Sequence, residues 1–98
     1  MYALIDGAAI RTREELHDAM ARQLALPEYY GRNLDALFDC LTELHESCDI
    51  VVRHADELFA HLGVYAEILQ NVLCEAAGEN SSLRLSIEDG PYASEGNA

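Results

Sequence analysis

Apolar residues along this chain alternate between short runs and helical repeats. Tyr2–Ile5 and Ile50–Val52 are short apolar runs, typical of buried strands. Leu83, Leu85 and Ile87 alternate with polar residues, which predicts a third strand with one exposed face. Segments with helical periodicity separate these runs. We therefore predict the order strand, two helices, strand, two helices, strand.

Four segments repeat apolar residues at the spacing of amphipathic helices. The first begins at a capping box, in which Thr12 and Glu15 can satisfy each other's backbone N–H groups. Pro27 interrupts the pattern after this helix, and Asn33 is a good N-cap for the next one. The predicted helices run from Thr12 to about Ala25, over Leu34–Glu46, over Asp56–Leu62 and from Tyr65 to near Gly78.

The order of the elements predicts the fold class. Strands that are separated by helices cannot pair as hairpins, and they favour parallel pairing through right-handed crossovers. We predict an α/β fold in which a three-stranded parallel sheet is packed with about four helices, as one domain over residues 1–88. Residues 89–98 lack periodicity, which predicts a flexible C-terminal tail.

The charge of the chain adds most to what the composition indicates about function. The chain has 98 residues, of which 18 are acidic and 6 are basic, for a net charge of −12. Such a chain repels nucleic acid and anionic membranes and attracts basic proteins. No apolar run is long enough for a membrane span or a signal peptide, so we expect a cytoplasmic protein. Acidity can also serve solubility alone, and charge by itself leaves that interpretation open.

The cysteines predict free thiols. Cys40, Cys48 and Cys74 are an odd number and contain no C-x-x-C pair, which argues against a disulfide framework or a zinc site. Cys40 and Cys74 lie among apolar residues at helical spacing, and we expect both to be buried.

A small hydrolase is one alternative function, because histidines and carboxylates together can perform acid–base chemistry. The histidines, however, show no spacing of metal ligands or of a catalytic triad, and the chain contains no phosphate-binding loop. We therefore expect no enzymatic activity, no metal and no cofactor. The four histidines of the chain are His17, His45, His54 and His61.

The second predicted helix carries a stripe of carboxylates. Asp35, Asp39, Glu43 and Glu46 recur at i, i+4, i+8 and i+11, and neighbouring like charges cost a helix about 0.2–0.5 kcal/mol per pair. Two interpretations stay open: an ordinary solvated face, or a surface that presents anions to a cationic cleft. The adjacent pair Tyr29–Tyr30 favours the second, because tyrosine beside charge is common at binding hot spots. At least one of these rings can instead belong to the core.

A family resemblance lies in the same region. Leu24–Thr42, which includes the run Pro27–Asn33, closely resembles the signature segment of the barstar family, the intracellular inhibitors of barnase-type ribonucleases. The opening segment Ile5–Gly7 is also similar, and the resemblance extends over about residues 2–88. It implies a three-stranded parallel sheet with helices and a role as a ribonuclease inhibitor.

The resemblance also implies a binding site. In this family the acidic helix and the loop before it plug the active site of the ribonuclease, where an aspartate takes the position of a substrate phosphate. By position in the motif this residue is Asp39, with Asp35 as a second charged anchor and Tyr29 as the aromatic one. The other expected partner-binding residues are Gly31, Asn33, Leu34, Phe38, Glu43 and Glu75.

Four positions depart from the family pattern. Phe38 and Leu44 stand where barstar has tryptophan, and Asp6 and Arg32 differ from it in charge. These departures leave the identity of the partner open. The alternative function is therefore an acidic interaction module that binds another basic toxin or a regulatory protein. In either case we expect the free protein to be monomeric and to bind neither nucleic acid nor membrane.

Overall fold

The computed structural model describes residues 1–89, so the predicted tail lies, apart from its first residue, outside the described residues. None of the helices in this range is long and apolar enough to cross a membrane. The order of elements is the predicted one. The strands are β1 (Tyr2–Asp6), β2 (Cys48–Arg53) and β3 (Leu83–Ile87), and the helices are α1 (Arg13–Gln23), α2 (Leu34–Thr42), α3 (Ala55–Leu62) and α4 (Val64–Glu79), with a short 3-10 helix at Gly7–Ala9.

The three strands form one parallel sheet in the order β1-β2-β3, which confirms the predicted α/β class. In the central strand, Val52 lies between Ile5 of β1 and Ile87 of β3. Alternate residues of β2 are buried, which indicates that the helices cover one face of the sheet. On the other face Arg84 donates from Nε to Asp49 Oδ1 at 2.7 Å.

The core lies between the helices and the covered face of the sheet. Its largest side chains come from α1, α2, α4 and the strands, so every helix except α3 contributes a fully buried large residue. These fully buried residues are Ile5, Leu16, Met20, Leu24, Leu37, Leu41, Cys48, Leu69 and Leu73.

The start of α1 differs from the predicted capping box in one contact. The Thr12 hydroxyl accepts a hydrogen bond from Glu15 N at 3.0 Å, as predicted. The Glu15 carboxylate, however, accepts from Arg11 N at 2.7 Å instead of from the N–H of Thr12. The helix ends at Gln23, before the predicted end at Ala25, because Ala25 adopts a left-handed φ of 52°.

The prediction that Cys74 is buried is wrong. Its side chain is exposed on α4, whereas Cys40 is half-buried and Cys48 is fully buried in β2. The reason is the phase of α4: Leu69 and Leu73 define its buried face, and the next position turns away from the core.

Asn80, which follows α4, holds the end of α2. Its Nδ2 donates to the backbone oxygens of Leu41 and Leu44 at 2.9 Å each, and its Oδ1 accepts from Ser82 N at 3.0 Å. The last carbonyls of a helix lack partners inside the helix. Asn80 supplies one for α2, and it thereby fixes both where α2 ends and how it lies against α4.

We expect Asn80→Ala to lower the free energy of unfolding by about 1–3 kcal/mol, because the substitution removes two partly buried hydrogen bonds to the carbonyls of Leu41 and Leu44. Urea denaturation measures this change. Asn71→Ala, at an exposed position of α4, is the control and is expected to change stability by less than about 0.5 kcal/mol. Equal stability of both variants would contradict the structural role of Asn80.

Candidate functional site

The loop between α1 and α2 exposes one tyrosine and buries the next. Tyr29 is 87% exposed and Tyr30 is 6% exposed. Tyr30 N donates to Pro27 O at 2.9 Å, which closes a turn around Tyr29. One ring of the pair therefore belongs to the core, and the other is presented to solvent from an anchored loop.

The same loop is tied to α1 through Arg32. Its guanidinium forms an ion pair with the Asp18 carboxylate and donates to the backbone oxygen of Glu14 at 3.3 Å. Arg32 also has a left-handed φ of 57°, a strained conformation for a residue other than glycine. The next residue, Asn33, is the predicted N-cap of α2, and its Oδ1 accepts from Ala36 N at 2.7 Å.

A buried imidazole connects this loop to two helices. His17 of α1 lies with Nδ1 at 2.5 Å from the Tyr30 hydroxyl and Nε2 at 2.8 Å from the Tyr65 hydroxyl of α4. In a neutral imidazole one ring nitrogen donates and the other accepts, so both tyrosine hydroxyls can be satisfied. The Arg13 guanidinium lies over the Tyr65 ring, 4.2 Å from its centroid.

The surroundings of His17 disfavour its protonation. Burial is the main cause that lowers the pKa of His17, the nearby Arg32 lowers it further, and Asp18 partly opposes them. Burial also raises the pKa of Tyr30 and of Tyr65, so both hydroxyls keep their protons at neutral pH. The network is therefore uncharged at neutral pH in the folded protein.

The carboxylate stripe is shorter than predicted. Asp35 and Asp39 lie on α2, but Glu43 is the C-cap residue of this helix and Glu46 lies beyond it. The cause is tertiary, since Asn80 binds the carbonyls at the end of α2. The prediction that four carboxylates follow one continuous helix is therefore wrong for Glu43 and Glu46.

Asp35 and Asp39 instead meet a carboxylate from another helix. A groove of about 410 Å³ lies between α2 and α4. We call it the acidic groove. It is lined by Leu34, Asp35, Phe38, Asp39, Val72 and Glu75.

The carboxylates of the acidic groove have no cationic partner within residues 1–89. Asp35, Asp39 and Glu75 are all exposed, and none of them forms an ion pair with another described residue. Unpaired charges of one sign beside apolar walls concentrate the local potential. The acidic groove can therefore bind cationic side chains, and Leu34 and Phe38 can contact their apolar stems.

The predicted partner-binding residues fall into two groups. Five of them line the acidic groove, whereas the others precede α2 in the loop or, in the case of Glu43, cap its far end. The sequence did not identify Val72 as a residue of this groove, because its place in a helical apolar repeat only assigned it to α4. The described residues contain no cluster of histidine, cysteine, aspartate and glutamate that could hold a metal ion.

A second and larger groove, of about 620 Å³, lies on the other side of the first turn of α2. We call it the arginine groove. The sequence assigned Arg13 and Tyr65 no role in a site, because α1 and α4 converge here only in the folded chain, and it marked Arg32 only as a departure in charge from the family pattern. It is lined by Arg13, Glu14, His17, Arg32, Asn33, Leu34, Asp35 and Tyr65.

The fold and the acidic groove define the class, a small acidic α/β protein with barstar-like architecture. The chain belongs to the barstar family: the family model described as Barstar (barnase inhibitor) matches residues 1–88. It is also 40% identical over 77 residues to a protein of Bacillus subtilis (strain 168) named "Putative ribonuclease inhibitor YrdF". That match covers 78% of this chain and 85% of the relative. The family resemblance of the sequence is thereby confirmed.

The hydrogen bonds of His17 with Tyr30 and Tyr65 predict that the stability of the protein depends on pH. Because the pKa of His17 is lower in the folded protein than its ordinary value of 6.5, the unfolded chain binds the proton more readily. The neutral form of His17 therefore contributes stability that is complete above about pH 6.5. This stability is lost as the pH falls toward the pKa of His17 in the folded protein. Urea melts of wild type and His17→Gln at about pH 5 and pH 7 measure it, and the variant is expected to lose less stability on acidification.

His45→Gln, which removes an exposed histidine outside the hydrogen bonds of His17, is the control variant. Comparing the three proteins under the same conditions cancels the contributions that they share. An equal loss of stability in wild type and His17→Gln would contradict a buried, uncharged His17.

Proposed function

We propose that this protein inhibits a basic, barnase-type ribonuclease by covering its active site with α2 and the loop before it. The acidic groove is the observation that carries the proposal. Membership of the barstar family and the name of the Bacillus subtilis relative support an inhibitor of ribonucleases. The groove supports the mode of inhibition, in which the protein is a binding partner and not an enzyme.

The chemistry of the target explains why carboxylates suit this task. An enzyme that cleaves RNA must hold phosphates, and it does so with arginine, lysine or protonated histidine side chains. Asp39 lies on α2 between Asp35 and the end of the helix, and Glu75 faces the same groove from α4. In our proposal Asp39 takes the place of a substrate phosphate, and Asp35 and Glu75 bind cations on either side.

Specificity follows from desolvation. Burying three carboxylates beneath a partner is costly unless each one meets a cation with good geometry. A basic surface without matching cations therefore attracts this protein at long range but does not form a tight complex. The apolar residues Leu34 and Phe38 add a requirement for shape, because they must be covered at the same time.

Rigidity makes the same surface efficient. Asn33 caps the start of α2, Asn80 binds its end, and Tyr30 is buried beneath the loop. Side chains presented on a fixed backbone lose little conformational entropy when they dock. Tyr29 stands out of this anchored loop and supplies the aromatic contact of the proposal.

The net charge of −12 supports fast capture of the enzyme. Attraction between an acidic inhibitor and a basic enzyme raises the association rate, and added salt weakens it. We further propose that residues 1–88 act as one inhibitory domain and that the protein works in the cytoplasm, beside the RNA that it protects.

We expect Asp39→Ala to separate binding from stability. Asp39 lies near the negative end of the α2 dipole and within one turn of Asp35 and Glu43, so its removal is expected to raise the free energy of unfolding by about 0.5–1 kcal/mol. Binding to a purified barnase-type ribonuclease is expected to weaken at least about a hundredfold, because the enzyme's phosphate site loses its anion. Urea melts and titrations of RNA cleavage measure the two effects.

Glu46→Ala is the matched control. It removes the same charge from the same surface outside the acidic groove, so it reports the loss of long-range attraction alone. Stoichiometric inhibition by wild type and by Glu46→Ala, but not by Asp39→Ala, is the expected result. Equal inhibition by all three proteins would reject the assigned role of Asp39, and no inhibition by wild type would favour a different basic partner.

A further inference from the structure

We propose that the arginine groove is a second docking subsite, which binds a carboxylate side chain of the ribonuclease while the acidic groove binds its cationic cleft. This inference rests on the proposed function and extends it to the chemistry of the partner next to that cleft. Its observations come from Arg13 of α1, Tyr65 of α4 and Arg32 of the loop between α1 and α2.

The two grooves are neighbours. Leu34 and Asp35 line both of them, so the first turn of α2 is a ridge with one groove on each side. A partner that covers α2 closely enough to reach Asp39 therefore also covers the opening of the arginine groove. Whatever side chain the partner places there must suit the groove's charge.

The charges of the two grooves differ. The acidic groove carries three carboxylates and no cation, a formal charge of −3. In the arginine groove Arg13 and Arg32 balance Glu14 and Asp35, so its formal charge is 0 with His17 neutral. Two of the chain's 6 basic residues thus line one groove of a strongly acidic protein.

The arginines have free hydrogen-bond donors. Arg13 lies over the Tyr65 ring and forms no ion pair with any residue of the described range. Arg32 uses Nη2 for Asp18 and for the backbone of Glu14, which leaves its Nε and Nη1 groups available. Both guanidiniums are held by these contacts before any partner arrives, which lowers the entropy cost of binding.

A carboxylate is the partner group that fits. The planar guanidinium matches a carboxylate through paired hydrogen bonds, and Arg13 has no carboxylate partner among the described residues. Ribonuclease active sites need acid–base groups beside the cations that hold phosphate, and glutamate is among the side chains used for this work. A carboxylate at the rim of a cationic cleft is therefore compatible with the proposed class of target.

The test compares Arg13→Gln with Arg22→Gln in complexes with a purified barnase-type ribonuclease. Each substitution removes one positive charge, and Arg22 lies on α1 outside both grooves. Long-range attraction to a basic enzyme therefore rises equally in the two variants, and neither is expected to associate more slowly than wild type. We expect Arg13→Gln to dissociate at least about fivefold faster than Arg22→Gln, because only Arg13 contacts the enzyme.

Asp39→Ala, measured in parallel, separates failure of the second subsite from failure of the proposed function. Loss of binding in Asp39→Ala together with equal dissociation rates in the two arginine variants would overturn the second subsite and leave the proposed function standing. Slower dissociation of Arg13→Gln would also overturn it, because the partner would then present a cation. Absence of a wild-type complex would overturn the proposed function and the subsite together.

Discussion

The hydrogen bonds of the buried His17 ring hold together the parts of the chain on which the site depends. His17 belongs to α1, Tyr30 to the loop that presents Tyr29, and Tyr65 to the helix that carries Glu75. A buried polar network of this kind is favourable only when every member is satisfied, because each unpaired group would carry its full desolvation cost. A neutral imidazole can satisfy both hydroxyls, and burial lowers the pKa of His17 and so favours this neutral form. The position of the loop relative to α4 is thus set by chemistry that is sensitive to a single proton.

A second constraint acts on α2, whose carboxylates repel one another. Their repulsion is tolerated because the helix is held from both ends, by Asn33 at its start and by Asn80 at its end. Its buried residues Leu37 and Leu41 add the hydrophobic stabilisation that an isolated nine-residue helix would lack. Stability supplied by the inner face therefore permits an outer face whose charges do not favour helix formation.

Local patterns predicted the elements but not which residues far apart in the chain meet. The three strands, their parallel order and the N-caps Thr12 and Asn33 follow from periodicity and capping chemistry within a few residues. The end of α2 does not, because the donor that binds its carbonyl comes from Asn80, 39 residues beyond Leu41. The residues of the candidate site divide in the same way, into those that local patterns pair and those that only tertiary packing brings together.

Asp35 and Asp39 could be paired from helical spacing, since one turn separates them. Their meeting with Glu75, and the meeting of His17 with Tyr65, 48 residues away, required the packing of α4 against the rest of the chain.

Charge acts differently at long range and at short range, where tertiary packing brings residues together. Net charge draws this protein to any basic surface, so it cannot by itself choose among basic partners. In the proposed mode of binding, discrimination needs short-range interactions: unpaired carboxylates that must each find a cation, apolar residues that must be covered, and a neighbouring groove whose arginines offer donors to a carboxylate. An acidic surface interrupted by arginines at a fixed place is accordingly more selective than a uniformly acidic one, even though its long-range attraction is weaker.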